Sequence, residues 1–152
     1  MKTDKFIVQV KPGISIGELK IGMSKREIDE LTENTPFFFK IDYEDDNSSF
    51  IEIFSGAQIE FVCQYEGLDL FNTNASDLIP LIDRISPYDR EKSDGYSYNF
   101  PEIGLSFWRD MNLTEGNMQE NWYKDMSPEN QEDTAKYLYF GCVGVYKTEK
   151  SK

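Results

Sequence analysis

Histidine is absent from the 152 residues. That removes the commonest general base, the Ser-His-Asp and Cys-His nucleophile arrangements, and the usual ligand sets of zinc enzymes. Cysteine is nearly absent too, with only Cys63 and Cys142. Two thiols do not complete a structural zinc site. Each lies in an apolar, strand-like run (59–65 and 137–146) and reads as a buried free thiol suited to a reducing compartment, with a single disulfide between them left open. A phosphate loop is also missing. Gly13, Gly17 and Gly22 are spaced too widely for a dinucleotide fingerprint, and no strand–glycine-loop–helix unit surrounds them. Gly141 and Gly144 fall within strand-like sequence and mark a bulge or close backbone packing. The basic start Met1-Lys2-Thr3-Asp4-Lys5-Phe6 leads into no apolar run long enough for a signal peptide, and no stretch reaches transmembrane length. A cytoplasmic location and no membrane partner are expected. No repeat, low-complexity tract or linker divides the chain, so residues 1–152 are expected to form a single acidic α+β domain.

Positive charge is scarce. Sixteen Lys and Arg stand against 28 Asp and Glu, a net charge of −12. Such a surface repels nucleic acid and anionic membrane and attracts cationic partners. Aromatic residues at 14% supply ample core volume and argue against disorder.

The first helix is the most clearly written element. Ser24 is its expected N-cap, Glu27 completes a capping box, Met23 and Ile28 form a hydrophobic staple, and Pro36 stops it. Before it, residues 6–10 read as a strand ended by Pro12-Gly13. After it, residues 37–43, 49–54 and 57–65 read as three strands of an antiparallel meander, turning at 45–48 and at Ser55-Gly56. A second helix is expected over 76–85, capped by Ser76 or Asp77 because Pro80 is tolerated only near a helix start. A hairpin over 96–100 and 103–109, a long loop over 111–126, a short helix opened by Ser127-Pro128 and a last strand over 137–146 complete the pattern. The sum is an antiparallel sheet of about six strands packed by two or three short helices. Alternation places Tyr96, Tyr98 and Phe100 on one face, and Trp108 reads as core.

No catalytic or metal site is expected. From Asp42, the EF-hand positions for Gly and Glu hold Asn47 and Ile53, so a calcium loop fails. Carboxylate pairs for hydrolysis have no specificity among 28 acids. The N-x-[ST] triplets at Asn47, Asn74 and Asn112 are read as chance. The chain is therefore expected to be no enzyme and to take no cofactor or small-molecule substrate.

Two regions mix acids with aromatics and are the candidate partner-binding surfaces. The first is the hairpin tip Asp42, Tyr43, Glu44, Asp45 and Asp46. The second lies within 115–133 and includes Glu120, Trp122, Tyr123, Asp125 and Glu129, with Glu132 and Asp133 beyond. Trp and Tyr are enriched at interface hot spots, and carboxylates around them complement Arg and Lys. Equally, Trp122 and Tyr123 could fold back and pin a long loop. Asp94, Tyr96, Tyr98 and Glu102 make a third patch.

Two segments carry a family resemblance. Ile16-Gly17-Glu18-Leu19-Lys20-Ile21-Gly22-Met23-Ser24-Lys25-Arg26-Glu27-Ile28 resembles the opening of small α+β domains in which Gly-Met-Ser/Thr starts the first helix, as in β-lactamase-inhibitor-like domains and bacterial immunity proteins of polymorphic or contact-dependent toxin systems. Tyr96-Ser97-Tyr98-Asn99-Phe100-Pro101-Glu102-Ile103-Gly104-Leu105-Ser106-Phe107-Trp108-Arg109 resembles a strand-turn-strand segment of the same immunity proteins. The resemblance implies an immunity or inhibitor protein that occludes a cognate toxin domain, often a basic nuclease, and supplies no site residue. The alternatives are an acidic regulatory protein or nucleic-acid mimic that binds a DNA-binding partner, and a carboxylate-based hydrolase.

Overall fold

A computed structural model describes residues 6–148. The class is α+β, but the strands divide between two sheets of five rather than one, and four α-helices are present among the described residues. The first sheet is built from β1 (Phe6–Lys11), β2 (Ser15–Ile16), β3 (Leu19–Lys20), β6 (Phe61–Tyr65) and β7 (Leu68–Asp69), in the order β3-β2-β1-β6-β7. The second holds β4 (Phe37–Glu44), β5 (Asn47–Ala57), β8 (Ser97–Phe100), β9 (Leu105–Trp108) and β10 (Cys142–Tyr146), in the order β4-β5-β10-β9-β8. Every pairing in the second sheet is antiparallel.

The expected meander breaks at its second turn. β4 and β5 form the hairpin, but Gly56 does not turn the chain, because its φ is not positive and it continues β5 to Ala57. A tight hairpin needs residues that accept positive φ. The chain therefore runs on through exposed residues 58–60 into the other sheet, where β6 pairs in parallel with β1, Val8 facing Cys63. Apolar alternation suits either sheet, so periodicity alone did not separate the two. An aromatic seam joins the sheets where the crossing occurs: Phe37 lies 5.5 Å from Phe6 and 4.8 Å from Phe61, whose ring is 6.0 Å from Phe71. Tilted and edge-on rings at these spacings add to their burial.

Helix α1 (Lys25–Thr32) begins as expected. The Glu27 amide donates to Ser24 Oγ at 3.2 Å, and the Ser24 hydroxyl donates to the Glu27 carboxylate. Ile28 is buried, while Leu31 is exposed. Helix α2 (Ala75–Asp83) starts a residue earlier than expected, capped by Asn74, whose Oδ1 accepts the Asp77 amide at 3.0 Å. Its Ala75, Leu78, Ile79 and Ile82 are buried, and Pro80 is accommodated on the exposed side. The expected loop 111–126 contains a 3₁₀ turn (Asn117–Gln119) and helix α3 (Asn121–Lys124). Helix α4 (Pro128–Ala135) has Ser127 as its cap and Pro128 in its first turn. The last strand is shorter than expected, because residues 136–138 form a second 3₁₀ turn.

The inward faces of both sheets, α2 and Ile28 share one continuous core, with Ile16, Ile51, Ile53, Leu78, Ile82, Phe100, Leu105 and Val143 fully enclosed. Trp108 is not part of it. Leu105 and Phe107 point inward, so alternation turns Trp108 outward, and it is 43% exposed. Gly144 shows the expected close packing: a Cβ there would come within 2.7 Å of the Phe50 ring. Both cysteines are free and buried. The lysine-bearing end of the chain over 149–152 lies outside the described residues.

Gly104 and Gly56 supply an internal comparison. Gly104 has φ +72, its carbonyl accepts the Gly13 and Tyr146 amides, and an added Cβ would collide with the Tyr146 carbonyl. Gly104→Ala is expected to destabilise the fold by about 2–4 kcal/mol, whereas Gly56→Ala, in open space, is expected to be neutral or stabilising by up to about 1 kcal/mol. Urea midpoints measure both. Equal midpoints would contradict the assignment.

Candidate functional site

The acidic hairpin tip is a two-residue turn. Asp45 and Asp46 have φ of 50° and 68°, so both central residues are left-handed, as a type I′ turn demands. Asp tolerates this region better than most residues because its short side chain can bond locally. The tip is docked: the Lys25 amide, in the first turn of α1, donates to the Asp46 carbonyl at 3.1 Å, and Lys25 Nζ sits 5.8 Å from the Tyr43 ring. Asp42, Glu44, Asp45 and Asp46 are exposed. Tyr43 is half-buried against the core, which makes it a wall of the hairpin rather than a free anchor.

The second acidic region is a braced pair of helices. Tyr123 is buried, and its hydroxyl donates to the Gln131 carbonyl at 3.0 Å, while Gln131 Nε2 donates back to the carbonyls of Tyr123 and Lys124. These bonds clamp α3 to α4. Trp122, next in sequence, points the other way. It is 40% exposed, and its indole N–H donates to Glu120. The two aromatics therefore divide between the two expected roles: Tyr123 pins the segment and Trp122 faces solvent. Glu120, Asp125, Glu129, Glu132 and Asp133 are exposed on the same segment.

Register keeps the two regions apart. The hairpin tip precedes Asn47, whereas the segment carrying α3 and α4 leaves the sheet at Trp108 and returns at Cys142, and Cys142 lies between Trp108 and Phe54. From Asn47 to Phe54 is seven strand steps, roughly 23 Å. The acids thus occupy opposite ends of the second sheet.

Between that far end and the first sheet opens a cleft of about 950 Å³. Phe54, Phe61, Phe71 and Phe140 form its apolar part, and Ile59, Trp108 and Tyr139 line it while 43%, 43% and 37% exposed. Glu60, Asp110 and Lys136 are its ionised groups, apart from Arg109. Sequence reasoning did not select this site. Trp108 was legible, since strict alternation after Leu105 and Phe107 turns it outward. Ile59, Glu60 and Tyr139 were not, because they reach the cleft through the sheet crossing and the 3₁₀ turn.

Arg109 holds this end together. It is 4% exposed, yet belongs to none of the three ion pairs formed among the described residues. Neutral acceptors surround it. Nε donates to the Gly95 carbonyl at 2.9 Å, one terminal nitrogen donates to the carbonyls of Leu113 (3.1 Å) and Tyr137 (2.8 Å), and the other donates to Asn112 Oδ1 (2.9 Å). Burial pulls its pKa below the ordinary arginine value. Gly95 is obligatory beside it, with φ +89 and the Asn112 side chain where a Cβ would stand.

Comparison with protein-family models, with curated proteins and with solved structures returns no match to this chain. The resemblance to immunity proteins rests on the residues quoted for it. Among the described residues no cluster of three His, Cys, Asp or Glu side chains could hold a metal ion, and no helix is long and apolar enough to cross a membrane.

Burial pushes both thiols up to about 12, with Asp69 adding to the effect at Cys63, and Glu52 and Asp110 at Cys142. The folded state therefore holds these protons more tightly than the unfolded chain. The contribution is fully present below about pH 8.5, the ordinary thiol value, and is lost as pH rises toward 12. At pH 8 a thiol reagent is expected to modify Cys63 and Cys142 only at the rate of unfolding, and urea stability is expected to decline above pH 9. Rapid labelling of the native protein at pH 8 would contradict this.

Proposed function

We propose that the protein is a stoichiometric inhibitor of the immunity kind. In this reading it acts in the cytoplasm, binds a basic protein, a cognate toxin domain, and covers that domain's working surface. The observation that carries the reading is Trp122, held half-exposed on a helix whose other aromatic is buried, among Glu120, Asp125 and Glu129. A Trp presented on a braced element is a low-entropy anchor, and the carboxylates around it complement Lys and Arg. Only three ion pairs join described residues, and all involve solvent-exposed side chains, so the acid excess is left largely available to a partner. Long-range attraction at net −12 would speed encounter, and the apolar anchor would slow release.

The nucleic-acid-mimic reading is less favoured. It calls for carboxylates in a continuous phosphate-like row, and the two acidic regions lie at opposite ends of the second sheet. A hydrolase reading would need a close carboxylate pair with raised pKa values in one cleft. Glu60 and Asp110 are the carboxylates that line the cleft, and no hydrogen bond joins them.

The test is co-expression with the toxin encoded beside this gene. The protein is expected to restore growth, and Trp122→Ala combined with Asp125→Lys to weaken binding by roughly 2 kcal/mol or more, read as a rise in Kd. Association is expected to slow with added salt. Growth arrest in the presence of well-expressed protein would overturn the reading.

A further inference from the structure

We propose that the cleft at Trp108 and Tyr139 receives an arginine side chain of the protein partner, its guanidinium stacked between aromatic rings and paired with Glu60 and Asp110. The inference deepens the inhibitor reading, on which it rests for the partner's identity as a basic protein.

Four aromatic residues of this cleft face two kinds of situation. Tyr137 carries the protein's own Lys136, with Nζ 5.1 Å from the ring, and Phe140 carries the Arg109 guanidinium at 5.5 Å. Trp108 and Tyr139 carry no cation among the described residues, although both are exposed. The cleft thus already seats two cations on its rings and leaves two further ring systems open. Trp presents the best face for a cation, and guanidinium stacks on it better than ammonium does.

The charges agree. Glu60 and Asp110 are exposed and make no ion pair or side-chain hydrogen bond among the described residues. The cations of the cleft are both engaged: Arg109 is buried with its donors on carbonyls and Asn112, and Lys136 lies over Tyr137. An incoming cation finds two unpaired carboxylates and two open rings. An incoming anion finds Lys136 and meets both carboxylates. The exposed apolar surface of Ile59 beside them suits the methylene stem of a long side chain.

The chain's two Trp residues make the test direct, because each gives one indole N–H resonance and Trp122→Phe assigns them. The 15N-labelled protein is titrated with hexa-arginine, hexa-lysine and hexa-glutamate peptides. The expected result is a saturable shift of the Trp108 indole with hexa-arginine, weaker with hexa-lysine, and absent with hexa-glutamate. Tyr139→Leu and Asp110→Asn, both at exposed positions, are each expected to raise the hexa-arginine Kd about two- to fivefold. A Trp108 shift with hexa-glutamate, an equal response to lysine and arginine, or insensitivity to both substitutions would overturn the proposal. A shift confined to Trp122 would also overturn it while leaving the basic-partner reading intact. Saturable arginine binding at Trp108 without toxin neutralisation would do the reverse.

Discussion

A buried guanidinium bonded to neutral oxygens, and in none of the ion pairs among the described residues, is the constraint on which one end of the molecule depends. Desolvating a charge costs several kcal/mol even after relaxation. Arg109 recovers this through four hydrogen bonds to neutral oxygens, each of the charge-assisted kind worth about 1.5–3 kcal/mol. The acceptors belong to three separate stretches of chain, at Gly95, at Asn112 and Leu113, and at Tyr137. One side chain therefore ties the approach to β8, the exit from β9 and the turn before β10. The fork geometry of guanidinium allows this, whereas a lysine ammonium has three donors on a point and cannot span the same acceptors. Trp108 and Asp110 flank Arg109, and Tyr139 follows the Tyr137 carbonyl by two residues. The cleft's shape is thus a consequence of where the guanidinium sits.

The same economy governs the charged surface. Among the described residues the protein pairs few of its carboxylates with its own cations. Lys25–Asp29 and Arg26–Glu30 are exposed helix pairs that contribute little, and Asp83–Arg90 lies at the surface. The core is held by apolar packing of two sheets and α2, not by ion pairs. Acids unneeded for the fold remain free to set the long-range field. What they do not do is form one patch, because the hairpin tip and the α3–α4 segment are attached to opposite ends of the second sheet. A partner large enough to touch both would have to span that sheet. A smaller one would choose, and the aromatic residues sit with the α3–α4 end.

Much of this was legible in the sequence where local chemistry decides the outcome. The α1 start followed from Ser24 and Glu27, the α4 start from Ser127-Pro128, and the hairpins over 37–54 and 97–108 from alternation and turn residues. The division into two sheets was not legible, because it turns on Gly56 staying extended, and an extended glycine looks like a turn glycine in sequence. The candidate site splits in the same way. Trp122 and Tyr123 were visible as adjacent aromatics in a polar segment, but which one is buried depends on Gln131 reaching back from α4. Tyr43 read as exposed at a tip, yet strand alternation places it inward beside Phe39 and Ile41. The cleft assembles residues separated by about 80 positions, from Ile59 to Tyr139, and no local pattern announces such a meeting.

The most direct test of the account is amide hydrogen exchange on the Arg109→Lys variant. Lysine keeps the charge and loses the fork, so the account predicts faster exchange at Gly95 and across residues 110–141, with protection in β5 and β10 retained. Exchange that is unchanged throughout, or that rises uniformly across the molecule, would contradict the claim that this one guanidinium organises the end of the fold where the cleft and Trp122 lie.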